Sequence, residues 1–111
     1  MMTNVAVQEK YVNVLAGFGS LQDAIDAALQ RYAIEQVTTR INDLRRREAR
    51  YLAKYGLDYL TFSRRIARDE AFLEQVEANI SKTWEIDLAE WEFCYKGIQD
   101  CTRQLQTLLL T

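Results

Sequence analysis

The sequence predicts a mainly α-helical fold: a short N-terminal strand, one long helix, then two or three helices packed as an elongated helical hairpin or bundle. Three observations predict it. The 111 residues contain no proline and only four glycines, so long helices can run unbroken. Apolar residues recur every three or four positions from Leu21 onward. The one stretch that alternates instead is "VAVQEKYVNVLAGFG", near the N-terminus.

The elements follow in chain order within a single domain, 1–111, made of a strand-bearing arm (1–19), a long helix (20–55) and C-terminal helices (57–111). In the arm, Val12 and Val14 point one way and Tyr11, Asn13 and Leu15 the other, which is the period of a strand. A solitary strand has backbone groups with no partner in its own chain, so pairing with another chain is expected. Ser20 is a good N-cap, and Asp23 and Asp26 suit a helix N-terminus. No breaker follows until Gly56. Leu21, Ile25, Ala28 and Tyr32 form one apolar stripe, which steps over and resumes as Ile34, Val37, Ile41, Leu44, Tyr51 and Tyr55. A helix of about 35 residues is about 50 Å long, which implies that it projects or pairs. Gly56 fits the left-handed position after a helix, and Asp58 caps the next one, with Leu57 and Phe62 placed as a hydrophobic staple. A break is expected near Arg68-Asp69. Ser81 or Thr83 opens the last helix, whose seam reads Trp84, Leu88, Trp91, Tyr95, Ile98, Leu105 and Leu109, with Thr102 in the gap.

Composition narrows the chemistry. Histidine is absent, which removes the commonest general base and metal ligand. No glycine-rich phosphate loop is present, and no nucleophile has a standard base. The expectation is therefore a protein that is not an enzyme, with no catalytic residues, no cofactor and no metal. Cys94 and Cys101 lie seven apart, about 10.5 Å along a helix, too far for a disulfide between them. Two buried free thiols suit the cytoplasm. The N-terminus shows no secretion signal, and no segment is apolar enough to span a membrane, so a cytoplasmic protein is expected.

Charge is unevenly spread. Residues 1–68 hold 11 basic and 7 acidic side chains, a net of +4, while residues 69–111 hold 3 and 9, a net of −6. Arg40, Arg46, Arg47, Arg50 and Lys54 share an arc of roughly 120° on the long helix. They are candidates for nucleic-acid contact, together with Lys10 and Asn13 on the strand, which a dimer could present as a two-stranded ribbon. Asp43 lies on the same arc, so a solvated face laced with ion pairs is the plainer account.

The second half carries a resemblance. "KYGLDYLTFSRRIA", then an acidic stretch, then "TWEIDLAEWEFCYKGIQ" resembles the small antitoxins of prokaryotic toxin–antitoxin pairs, especially those encoded beside TumE-like ribonuclease toxins. The matching elements are the Lys-Tyr-Gly stop, the aromatic Phe62 six residues on, and the helix with Asp-Leu-Ala-Glu-Trp. The resemblance implies an antitoxin that binds and neutralises a partner toxin by occlusion. It implies toxin contacts at Trp84, Asp87, Glu90, Trp91 and Tyr95. A −6 segment with exposed aromatics could occupy the phosphate-binding groove of a ribonuclease. Expected partners are the cognate toxin, a second copy through the strand or the long helix, and operator DNA. The rivals are a homo-oligomeric helical scaffold and a strand-helix DNA-binding regulator.

Overall fold

A computed structural model describes residues 2–110. Among them five α-helices follow one another: α1 (Glu9–Leu15), α2 (Leu21–Tyr55), α3 (Tyr59–Arg68), α4 (Glu70–Asn79) and α5 (Trp84–Leu109), with a 3-10 turn at Ala16–Phe18. The fold is mainly α.

The N-terminal strand is not formed: Glu9–Leu15 is helical, and the described residues contain no strand. The reason is backbone satisfaction. A lone strand finds no second strand in this chain, whereas a helix pairs its N–H and C=O groups locally. The side chains permit both readings, since Tyr11, Val14 and Leu15 also sit at helical spacings of three and four. Lys10 and Asn13 therefore lie on a helix, with the Lys10 ammonium 5.1 Å from the centre of the Tyr11 ring. The two-stranded ribbon and the dimer built on strand pairing have no strand to use among the described residues.

The chain divides into two compact units, Met1–Gln36 and Val37–Thr111. The N-terminal unit holds α1 and the beginning of α2, and none of its described residues is buried. Ser20 opens α2, its hydroxyl 3.5 Å from the Asp23 N–H and its carbonyl accepting from the Ala24 N–H at 3.0 Å.

The C-terminal unit has a true core in two clusters. Tyr55, Phe62, Ile66, Phe72, Val76 and Trp91 form one; Ile41, Leu44, Cys94 and Cys101 form the other. Local chemistry sets the helix ends that bring these residues together. Gly56 takes a left-handed φ of +71° and stops α2. Asp58 accepts from the Thr61 N–H at 2.7 Å and starts α3, while Leu57 packs onto the cluster that holds Phe62. Asp69 ends α3 and starts α4: its N–H bonds to the Arg65 carbonyl and its carboxylate accepts from the Phe72 N–H at 3.1 Å. Thr83 stands before α5 without a side-chain cap; Ser81 instead accepts from the Thr83 N–H at 3.1 Å.

Candidate protein interface

The five positions that the resemblance names lie on α5, and Asp87, Glu90 and Trp91 among them meet α2. Residue numbers rise on one helix as they fall on the other: Arg47 and Tyr51 meet Glu90, and Lys54 and Tyr55 meet Asp87. The two helices are therefore antiparallel, and spacings of three and four put each group on the facing side.

The contacts are charge-assisted. Arg47 donates from Nε at 3.3 Å and Nη2 at 3.0 Å to Glu90 Oε1, and the Tyr51 hydroxyl donates to Glu90 Oε2. Asp87 Oδ2 accepts from Lys54 Nζ at 2.7 Å and from the Tyr55 hydroxyl at 2.6 Å. Hydrogen bonds from Tyr51 and Arg47 hold the Glu90 carboxyl below its ordinary range. Burial pushes Asp87 up, but its bonds from Lys54 and Tyr55 overcome this and leave it lowered. Burial, then the bond to Glu90, raises the Tyr51 hydroxyl to about 12. Tyr55 is raised as well, by burial and by Asp87.

Trp91 is 0% exposed. Its ring lies 5.7 Å from Tyr51, 5.9 Å from Tyr55, 5.5 Å from Phe62 and 5.9 Å from Tyr59, centre to centre. Its Nε1 is buried and has no hydrogen-bond partner among the described residues. Tyr95 stacks on Tyr59 at 4.7 Å, and Trp84 is half-buried with Nε1 3.3 Å from Glu77 Oε1. All five are engaged by the chain's own packing: Asp87, Glu90 and Trp91 with α2, Tyr95 with α3 and Trp84 with α4. Trp91 presents no surface to a partner.

The basic arc divides. Arg47 and Lys54 are engaged with Glu90 and Asp87, and Arg46 pairs with Asp43 at 3.4 Å. Arg40 and Arg50 are exposed and make no ion pair among the described residues. Compared with known proteins, the chain matches no family model, no curated protein and no solved structure.

Two further exposed surfaces stand out beside the basic arc. On α4, Glu70, Glu74 and Glu77 are exposed and share one face at spacings of four and three. The Trp84–Glu77 bond brings the start of α5 beside that stripe, where Glu85 and Ile86 are exposed. The second surface is the apolar side of the N-terminal unit. The glutamate stripe was readable as a spacing in the sequence, but the tryptophans beside it carried the expectation. Among the described residues no three His, Cys, Asp or Glu are grouped to hold a metal, and no helix is long and apolar enough to cross a membrane.

Proposed function

We propose that this chain acts by binding and neutralising a basic partner protein, as antitoxins do, with no chemistry of its own. The observation that carries the reading is the exposed stripe of Glu70, Glu74 and Glu77 on α4, in a segment whose net charge is −6. Trp91, Phe62 and Val76 are buried within the chain itself, which leaves the acidic exterior of α4 to face a positive surface. A ribonuclease groove that holds phosphate is such a surface, and carboxylates seated in it exclude RNA. In this reading α4 and the first turn of α5 make the contact, and Asp87, Glu90 and Trp91 hold the scaffold that presents it.

The test is co-expression with the small basic product of the adjacent gene. The wild-type chain restores growth and co-purifies with that product. Reversal of the stripe (Glu70→Lys, Glu74→Lys, Glu77→Lys) leaves the chain helical and abolishes both effects. Rescue that survives the reversal rejects this surface. An adjacent product that is harmless when expressed alone rejects the antitoxin reading.

A second contact, with operator DNA, is favoured by Arg40 and Arg50, the members of the basic arc that carry no intrachain ion pair among the described residues. Phosphate binding by this set shows as promoter affinity that falls steeply with salt, and Arg40→Ala with Arg50→Ala reduces that slope.

A further inference from the structure

One aromatic side chain of α5 lies outside the core, beside the basic flank of α2. Phe93 is 53% exposed and belongs to neither core cluster. The Arg47 guanidinium lies over its ring, 5.4 Å from the centre. Arg47 is itself held by Glu90, so guanidinium and ring are fixed together across the α2–α5 contact. At about 100° per residue, Arg40, Arg47 and Arg50 fall within about 80° of one another on α2, so they share the flank beside Phe93. Arg50 is near enough to Glu90 to help lower its carboxyl.

The charges of this flank leave a positive excess. Asp43 pairs with Arg46 and Arg47, Glu90 with Arg47, and Asp87 with Lys54. Farther along α5, Asp100 pairs with Arg103. The excess rests on Arg40 and Arg50, which make no ion pair among the described residues. They stand about 15 Å apart along α2, with Arg47 and the Phe93 ring at a level between them. A stacked strand advances about 3.4 Å per nucleotide, so that span covers about four phosphates.

We propose that Phe93, Arg40 and Arg50 form a site for single-stranded nucleic acid, in which a base stacks on the ring and flanking phosphates meet the two arginines. The planar fork of a guanidinium matches the oxygens of a phosphate. The ring selects the single strand. In a duplex each base face is covered by its neighbours, whereas an unpaired base offers its face to an aromatic side chain. A protein partner fits less well, because the core of a protein interface is a contiguous apolar patch. Ile86, exposed on the same flank of α5, is about 10.5 Å from Phe93 along the helix, with Glu90 between them. Resting on the reading of Arg40 and Arg50 as phosphate contacts, this site adds the kind of strand and the residue that stacks on it.

Fluorescence anisotropy of the full chain tests it, with labelled oligouridine and oligothymidine of about 12 nucleotides and a promoter duplex as probes. The wild type binds the single strands. Phe93→Ala, at an exposed position outside the core, weakens that binding about tenfold and leaves duplex affinity and the helical signal unchanged. Phe93→Trp keeps the affinity and adds fluorescence quenching by bound oligouridine, which a change in folding alone would not give. Arg40→Ala with Arg50→Ala weakens binding of both kinds of probe and lowers the single-strand salt slope by about 1.4. Tighter binding of oligouridine supports the site with RNA as its ligand, and tighter binding of oligothymidine supports it with single-stranded DNA. Binding of the duplex alone overturns this site and leaves the operator contact standing. Binding of no probe overturns both. Single-strand binding that Phe93→Ala does not weaken, or weakens no more than duplex binding, overturns the site as well.

Discussion

Leu44 Cδ1 lies 2.8 Å from the point that a Cβ on Gly97 would occupy. Gly97 is the only glycine inside α5, and it lets α2 and α5 approach where Ile41, Leu44, Cys94 and Cys101 pack. Two effects compete on substitution. Alanine gains about 1 kcal/mol of helix propensity, and the contact with a 2%-exposed leucine costs a similar amount. Gly97→Ala is therefore near neutral in chemical denaturation. Gly97→Val adds volume without that propensity and destabilises by about 1–3 kcal/mol. A stabilised valine variant contradicts the close packing.

Trp91 separates packing from hydrogen bonding. Trp91→Ala opens a cavity among four rings and costs about 3–5 kcal/mol. Trp91→Phe keeps most of the aromatic contact and removes a buried N–H that has no partner among the described residues, so its cost is below about 1.5 kcal/mol. Thermal unfolding of both variants reads the difference. Equal losses show that the indole N–H has a partner.

The α2–α5 contact makes stability depend on pH at both ends. Asp87 and Glu90 have lowered pKa values in the fold, against ordinary values of 3.8 and 4.5. Their contribution is full above the ordinary values and is lost as pH falls through the folded ones. Tyr51 is raised from 10.0 to about 12, so its contribution is full below pH 10 and is lost on the way to about 12. Urea midpoints across pH check both limbs. Glu90→Gln flattens the acid limb, and Tyr51→Phe flattens the alkaline one.

The thiols report on the core. Cys94 and Cys101 are buried and free, and burial pushes the Cys94 thiol above its ordinary value. Both resist a thiol reagent in the native state and react together at the rate of unfolding. Prompt labelling of either one in buffer shows that this part of the core opens locally.

How much of this was legible depends on what sets each feature. Gly56, Asp58 and Asp69 end or start helices through their own backbone and side-chain chemistry, so the boundaries around them could be read from the sequence. Residues 9–15 could not be read, because a seven-residue segment with Val12 and Val14 satisfies both periods and only the missing pairing partner decides. Trp91 could be placed on a seam, but closing the seam depends on Arg47, Tyr51 and Tyr55, 36–44 residues earlier, meeting α5 in the antiparallel sense. Local spacing carries no such information. The opposite net charges of residues 1–68 and 69–111 fit a bundle whose halves attract each other, but nothing in them singles out Glu90 and Arg47 as a pair.

Asp69 leaves the joint between α3 and α4 without slack. One side chain and one N–H serve both helix ends, so there is no spare residue to absorb a change in length. An insertion at that point would turn the following helix by about 100° and swing Phe72 and Val76 away from Phe62 into solvent. The turn at 80–83, where no helix capping depends on a single carboxylate, is the place where this chain can grow or shrink.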